Sequence, residues 1–386
     1  MRSEVKPGRA HTMLARRYDI DALRVFAFGL LILYHVGMFY VADWEYHIKS
    51  QYQFEWLHLP MLFLNQWRMP LLFLISGLAI NFIWGRYSVA VFARRRLVRL
   101  GLPLLFGMAF VIPAQPYYEA LAKGLVEPGF GKFMVDYLTW QQFPDGAWSD
   151  TRIATWTWNH LWYLPYLLVY TLLLIPIAWF LQGRGATIHK AFLKLRGPWL
   201  ILVPVLPMML AGWYVYPHFP FYSRTLFGDW YAHSQYFTFF LLGFLIGRNP
   251  EIWLAIARLR IICFVLAITM FILYLNRADY VETAGLLVTY LNRWTWILVV
   301  LGFGHRHLNR PFPWLPYATG AVFAWYILHQ TFIIVAGAQL TPLALGPFME
   351  PVLVLELTVG GCALTYHYLV RRVRWLQPFF GTVIKQ

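Results

Sequence analysis

The chain alternates between long apolar runs and short segments rich in basic and turn-forming residues. Most runs are close to the ~20 residues that an α-helix needs to cross the hydrocarbon core of a bilayer. This pattern predicts an all-α fold, a polytopic transmembrane helical bundle with about ten spans. The third and sixth runs are the weakest, because they are short or interrupted by glycine and proline. The predicted spans cover residues 22–41, 66–84, 100–117, 161–181, 199–216, 234–247, 260–276, 284–304, 319–337 and 348–370.

Composition supports the same class of protein. Hydrophobic residues make up 60% of the 386 residues and charged residues only 13%, whereas soluble domains carry about 25% charged residues. A soluble fold of this length could not bury so much apolar surface. We therefore expect one integral membrane domain over residues 1–386, with a core over about 18–375. The longest outer connection, residues 118–160, is the one place for a cap outside the membrane, and a plain connector is the equal alternative.

The positions of the basic residues predict which side of the membrane each connection faces. Of the 32 lysines and arginines, 23 fall in the two tails and the even-numbered connections, and six fall in the odd-numbered connections. Positive charge concentrates on the cytoplasmic side of membrane proteins. We therefore expect both termini in the cytoplasm. The net charge of +15 is then loop charge, and it implies no nucleic-acid partner.

Two ionisable residues in the first predicted span form the main functional lead. Such groups are costly inside a membrane and usually face the bundle interior or a wet cavity. Arg24 and His35 are eleven residues apart, about three turns and roughly 16 Å along the axis, so both point to nearly one face. We interpret Arg24 as the entry site for an anionic cytosolic donor, whose reactive end would reach inward to His35. His35 would then act as the general base. A snorkelling arginine and a hydrogen-bonded core histidine are the structural alternative.

Four arginines precede the third predicted span in the segment RRRLVRLGLP. Those three or four residues apart share a helix face, and guanidinium groups bind phosphates through paired hydrogen bonds. The run could therefore bind a phosphate-rich cytosolic ligand such as coenzyme A. An anchor at the cytoplasmic membrane surface is the other interpretation. The four residues are Arg94, Arg95, Arg96 and Arg99.

Further polar residues could line a cavity on the outer side. Arg68 could hold an anionic or polyhydroxyl acceptor, or it could anchor the helix at the interface. His329 is expected at a depth similar to that of His35, which suggests a shared cavity, although each alone could be a satisfied core residue. His160 could face the acceptor or cap its helix. The predicted acceptor or cavity residues are Arg68, Ser76, His160, Tyr326 and His329.

Two further charges fall at similar depths in the eighth and tenth spans, namely Arg293 and Glu356. Either charge alone would be costly to bury, so we expect a structural ion pair. Cys263 and Cys362 fall inside apolar runs and are expected to be packing residues. No spacing typical of zinc or haem ligands and no glycine-rich phosphate loop occurs in a convincing context. We expect no bound metal and no permanently bound cofactor.

Six motifs, taken in order, resemble the acyltransferase 3 family of membrane proteins. They are YDIDALRVFAFGLLILYH, RMPLLFLISG, RRRLVRLGLP, NHLWYLP, FGHRHLN and WYILHQ, and the resemblance extends over nearly the whole chain. Within this family the chain is most similar to the glucan biosynthesis protein C branch, which attaches succinyl groups to periplasmic glucans.

The resemblance implies a membrane O-acyltransferase in the bacterial plasma (inner) membrane, with acyl-CoA as co-substrate. The enzyme would move an acyl group, acetyl or succinyl, to a hydroxyl of an outer-face carbohydrate such as a glucan. His35 would be the main acyl-transfer residue, and Arg24 with the arginine run would bind the donor phosphates or line the donor's route. A transporter or flippase for an anionic or lipid-linked sugar is the main rival interpretation. A non-catalytic scaffold of an envelope biosynthesis complex is the third.

Overall fold

The computed structural model describes residues 16–148, 152–153, 156–220 and 222–382. Long apolar helices make up most of these residues. A two-stranded antiparallel hairpin, β1 (Arg152–Ile153) and β2 (Trp156–Thr157), is the one sheet within these ranges. The helices are α1 (Tyr18–Tyr40), α2 (His58–Ile83), α3 (Val89–Phe106), α4 (Ala114–Ala122), α5 (Phe130–Leu138), α6 (Tyr163–Gln182), α7 (Ala186–Leu193), α8 (Pro198–Leu202), α9 (Leu206–Tyr214), α10 (Trp230–Ile246), α11 (Pro250–Leu275), α12 (Glu282–His307), α13 (Leu315–Leu340) and α14 (Met349–Leu364).

The predicted multi-pass bundle is confirmed. Eight helical segments within the described ranges are long and apolar enough to cross a membrane, and a ninth is a helix pair bent by 119° between Ala186–Leu193 and Pro198–Tyr214. The predicted fifth span is the second limb of this bent pair. The predicted sixth span is α10, which has 17 residues and at ~1.5 Å per residue is shorter than a typical hydrocarbon core.

The outer helices of the bundle expose apolar side chains that a soluble protein would bury. Only 17% of the apolar stretch of α11 and 22% of that of α14 are buried inside the protein. Exposed aliphatic residues such as Ile261, Val265 and Ile272 follow α11 along its length. A continuous apolar surface of this extent marks a face that contacts lipid. In contrast, α1 packs against α2, α12, α13 and α14 and is central.

Two glycines allow α2 and α10 to pack with their backbones in close contact. A Cβ atom at Gly77 would collide with the Phe240 carbonyl, and one at Gly243 would collide with the Leu74 carbonyl. Small residues at such crossings let transmembrane helices approach closely. This contact fixes the position of α2, which carries Arg68 into the interior of the bundle.

Replacing Gly243 by alanine is expected to lower the free energy of unfolding by about 1–3 kcal/mol or more, the usual cost of overpacking. The atoms that the new methyl group would meet are backbone atoms of Leu74, and backbone cannot shift as easily as a flexible side chain. The measurement is thermal unfolding in detergent. Gly29→Ala is the matched control, because a Cβ at Gly29 meets nothing within 4 Å. Equal melting temperatures for the two variants would contradict this packing.

The two ends of the bundle carry different structures. The tail side is the end where α1 begins; there the Asp19 carboxylate accepts hydrogen bonds from Arg17 at 2.6 Å and from His305 of α12 at 2.8 Å. The far side is the opposite end, where α4, α5 and β2 form a cap around an aromatic cluster that includes Phe133 and Tyr137. The cap falls in the longest connection, where the sequence leaves room for one.

Candidate active site

A cavity of about 1400 Å³ penetrates the bundle from the far side. Its mouth is lined by exposed residues of the far-side connections: Asp43, Glu45, Lys123 and Arg277. Its floor includes His35 of α1, Arg68 of α2, His160 before α6 and Tyr326 of α13. A polar ligand arriving from the far side can therefore reach the middle of the bundle.

Three histidines from separate parts of the chain meet at the cavity floor. The Nδ1 atom of His35 lies 2.8 Å from the Nε2 atom of His329, and the two rings are parallel within 6°. The His160 ring centroid lies 6.4 Å from that of His35 and 5.0 Å from that of His329. The sequence-based expectation that His35 and His329 share one depth agrees with this contact. His329 is fully buried behind His35 and does not itself line the cavity.

The hydrogen bonds of His329 determine where the protons of this pair lie. Its Nδ1 atom is 2.8 Å from the carbonyl oxygen of Tyr326 and 3.1 Å from that of Trp325. Because a carbonyl only accepts, Nδ1 carries the proton, and Nε2 of the neutral ring must accept from His35. His35 therefore holds its proton on Nδ1 and has a lone pair on Nε2. This tautomer follows from the hydrogen-bond network.

Both ring nitrogens of His160 are engaged. Its Nε2 donates to the Tyr326 and Ile327 carbonyls, each at 3.1 Å, and its Nδ1 accepts from the Gln115 amide at 3.3 Å. Within the described part of the chain, His35 is thus the one member of the cluster with a ring nitrogen that has no hydrogen-bond partner. His35 is also only partly buried and lines the cavity. These features suit a general base.

The predicted arginine run divides between two environments. Arg96 and Arg99 lie near Arg24, close enough for their charges to interact. Exposure does not separate the four, since Arg94, Arg95 and Arg99 are exposed and Arg96 is partly buried; the Arg95 guanidinium lies 4.1 Å from the centre of the Tyr87 ring. A rotation of about 100° per residue separates neighbouring positions on a helix, so the run cannot present one face. The tail-side arginine cluster is therefore Arg24, Arg96 and Arg99.

A layer of side chains separates this cluster from the cavity. The Ser76 hydroxyl lies 2.5 Å from the Tyr163 hydroxyl, on which the charges of Arg24 and Arg96 also act. The Tyr163 ring lies 6.0 Å from that of Tyr326 at the cavity floor. Among the residues that the structure describes, neither Ser76 nor any predicted donor arginine lines the cavity. The expected continuous route from Arg24 to His35 is closed in this conformation.

The predicted ion pair between Arg293 and Glu356 is wrong. No ion pair joins the two residues among those the structure describes. Glu356 is exposed on the peripheral helix α14, whereas Arg293 lines the cavity with its guanidinium 5.7 Å from the Tyr290 ring centre. Sequence position gives the depth of a residue in a span, but not the direction in which its side chain points.

Side-chain amides are the part of the site that the sequence analysis missed. The Gln115 carbonyl oxygen accepts from Asn159 and from Gln330, each at 3.1 Å, while its amide nitrogen donates to Thr331 at 2.7 Å. This network holds His160 in place. The sequence does contain a sign of this network: amides inside apolar runs, such as Gln330 directly after His329. Uncharged polar groups in spans also need hydrogen-bond partners, so such amides indicate a polar network.

Comparisons with known proteins give one matching family and several relatives. The family described as "Acyltransferase domain" matches residues 17–367. Glucans biosynthesis protein C of Escherichia coli (strain K12) is 26% identical over 344 residues, which cover 85% of this chain and 84% of the relative. The proteins of the same name from Escherichia coli O9:H4 (strain HS) and Escherichia coli (strain SE11) give the same identity and coverage. No solved structure matches the chain.

Proposed function

Because the chain belongs to the acyltransferase domain family and is a multi-pass membrane O-acyltransferase, we propose that it acylates a carbohydrate on the far side with acyl groups from acyl-CoA on the tail side. The observation that carries this proposal is the free Nε2 of His35 at the floor of a cavity open to the far side. A carbohydrate acceptor also agrees with the name of the glucan biosynthesis relatives.

The tail side is the proposed site of the donor. Neither Arg96 nor Arg99 has a carboxylate partner among the residues that the structure describes, and Arg24 is 3.9 Å from Asp21. Three guanidinium groups with so little compensation suit the phosphates of coenzyme A. The excess of basic residues in the tails and even-numbered connections supports assigning this side to the cytoplasm, and the proposed membrane is the bacterial plasma membrane.

The chemistry requires His35 to accept a proton and later return it. The acceptor hydroxyl donates to Nε2, which takes the proton as the oxygen attacks the thioester carbonyl. Collapse of the tetrahedral intermediate breaks the carbon–sulfur bond, and His35 returns the proton to the departing thiolate. A relay in which Nε2 first accepts the acyl group uses the same nitrogen.

Donor access requires a rearrangement of the layer between the arginine cluster and His35. The thioester must pass the contact between Ser76 and Tyr163 to reach Nε2. We infer that this contact opens when the donor binds and closes again around the acyl group. Such a layer would keep coenzyme A on the tail side while the acyl group moves inward.

A transporter for an anionic or lipid-linked sugar is the second candidate, because a cavity open to one side and closed to the other also suits alternating access. Hydrolysis or transfer of labelled acyl-CoA by the purified protein favours the enzyme. Counterflow of a sugar without acyl chemistry favours the transporter.

Mass spectrometry of envelope glycans tests the proposed function. Cells that carry the gene should contain a glycan heavier by one or more acyl groups than the glycan of cells without it. A strain with His35→Gln should match the strain without the gene. Identical glycan masses in all three strains would contradict the proposal, and the mass difference would identify the acyl group and the acceptor together.

A further inference from the structure

Four arginines line the far-side cavity without a carboxylate partner among the residues that the structure describes. Arg277 stands at the mouth, and the other three are Arg68 on α2, Arg293 on α12 and Arg224 in the connection between α9 and α10. The charges of Arg68 and Arg224 both act on His35, and they also act on each other. Positive charge is therefore concentrated beside the proposed base.

Arg68 is the most constrained of the three. Its residue surface is only 4% exposed, and its Nε and Nη1 atoms are buried with no hydrogen-bond partner. The guanidinium carbon lies 3.4 Å from the centre of the Tyr34 ring. A cation–π contact offsets only part of the cost of desolvating a charge. A buried guanidinium with two unpartnered nitrogens, at the wall of a cavity, is suited to an anionic group on a bound substrate.

The carboxylates that line the same cavity are engaged elsewhere or stand at its mouth. Asp229 accepts from the Tyr166 hydroxyl at 2.6 Å and from the backbone amides of Ser223 and Arg224 at 3.2 and 3.1 Å. Glu119 pairs with His47 and Lys123. The other two, Asp43 and Glu45, are exposed at the mouth. None of these groups neutralises Arg68.

Tyrosine hydroxyls lie near the arginines and add neutral hydrogen-bond donors to this part of the cavity. Tyr222 and Tyr236 line the cavity; Tyr222 lies within electrostatic range of Arg293, and Tyr236 within range of all three arginines. The Tyr231 and Tyr290 hydroxyls do not line the cavity and lie 2.7 Å from each other. Hydroxyl donors next to a guanidinium are well suited to share the oxygens of a carboxylate or phosphate. They also bind sugar hydroxyls, so one wall of the cavity can recognise both an anion and the carbohydrate that carries it.

We propose that Arg68, supported by Arg293 and Arg224, forms an anion-binding subsite for a carboxylate or phosphate on the substrate bound beside His35. The inference rests on the proposed function and names a substrate feature that the function does not require. Two sources can supply the anion: a charged terminus on the transferred acyl group, or an acidic substituent on the carbohydrate acceptor.

The first test is binding without turnover. Succinate and inorganic phosphate are titrated into the purified full-length protein at constant ionic strength, with tryptophan fluorescence and calorimetry as readouts. Wild-type protein should bind at least one of these anions, and Arg68→Gln should weaken binding about tenfold or more, as expected for loss of a charged hydrogen-bonding partner. Arg68→Lys keeps the charge but loses the guanidinium fork, so it should weaken binding less and serves if the glutamine variant does not fold.

Arg277→Gln is the matched control. Arg277 lines the same cavity, but its guanidinium already donates to the Tyr274 carbonyl at 3.2 Å and lies 4.0 Å from the Tyr274 ring centre. Arg277→Gln removes one positive charge from the mouth of the cavity, as Arg68→Gln does from its wall. If anions bind specifically at Arg68, and not through the general positive potential of the cavity, this control should change anion affinity by less than about twofold. Equal weakening by both variants would overturn the subsite.

The second test distinguishes the two sources of the anion during turnover. Acetyl-CoA and succinyl-CoA are compared as donors, each with a neutral glucan and a carboxylated glucan as acceptors. If the acyl group carries the anion, Arg68→Gln should lower kcat/KM for succinyl-CoA about tenfold more than for acetyl-CoA; if the acceptor carries it, the extra loss should follow the carboxylated glucan.

Two outcomes would overturn the proposal. One is a wild-type protein that binds neither succinate nor phosphate. The other is an equal loss of kcat for every substrate pair with anion affinity unchanged, which would make Arg68 a stabiliser of the transition-state oxyanion instead. Because binding is measured without turnover, failure of this subsite is distinguishable from failure of the proposed acyl transfer.

Discussion

Replacing His35 by glutamine should lower the rate of acyl transfer by about 10³-fold, within the range that a positioned general base contributes. Glutamine keeps much of the side-chain volume and an amide donor for His329, but it has no basic nitrogen to accept the proton of a hydroxyl. The measurement is the initial rate of transfer from labelled acyl-CoA in proteoliposomes. Donor binding should change little, because the arginine cluster is separated from His35 by the layer at Tyr163.

His307→Gln is the control for this experiment. His307 is exposed at the end of α12 on the tail side, so the same chemical change there should leave transfer at the wild-type rate. Retention of normal turnover in both His35→Gln and His35→Ala would remove His35 from the reaction and leave the role of the cavity open.

Replacing His329 by leucine should lower kcat about 10–100-fold, the usual effect of removing a partner that orients a catalytic imidazole. Without the Nε2 acceptor at 2.8 Å, His35 can adopt the other tautomer or rotate, and its lone pair no longer points reliably into the cavity. The KM for the donor should stay near the wild-type value, because the proposed donor site is the tail-side arginine cluster, which the layer at Ser76 and Tyr163 separates from the histidines.

A glutamine at the same position provides the conservative comparison. The amide oxygen of His329→Gln can accept from Nδ1 of His35, so this variant should retain clearly more activity than His329→Leu. A purely structural role would instead lower the thermal stability of both variants and leave kcat of the folded fraction unchanged. Equal kcat values for leucine, glutamine and wild type would contradict the positioning role.

The fold was largely predictable because lipid imposes a simple length rule on apolar helices. The regions that differ are those where proline and glycine interrupt the runs. Pro103 lies inside α3, and the long segment Val89–Ala122 contains a π-helical turn at Gly107–Val111. The predicted fifth span is only the second limb of a bent helix pair, and the turn between the limbs includes Gly197, whose φ of 53° favours glycine. The family indicated by six motifs is confirmed by the match over residues 17–367.

The sequence predicted how deep the site residues lie in the membrane, but not the direction in which their side chains point. Position along each span placed His35 and His329 at one level, and α1 packs against α13, so the two rings meet. The same reasoning failed for Arg293 and Glu356, because depth does not determine which way a side chain faces. The closed layer between Ser76 and Tyr163 joins residues 87 positions apart, and no local pattern marks such a contact.

The central claim is that an acyl group crosses the membrane at His35 while coenzyme A stays on the tail side. The most direct test uses proteoliposomes of one orientation, with labelled acyl-CoA on the tail side and glucan on the far side. The account predicts acylated glucan on the far side and an equal amount of free coenzyme A on the tail side, both lost in His35→Gln. Acyl-CoA or glucan that crosses intact, with no acyl transfer, would contradict it.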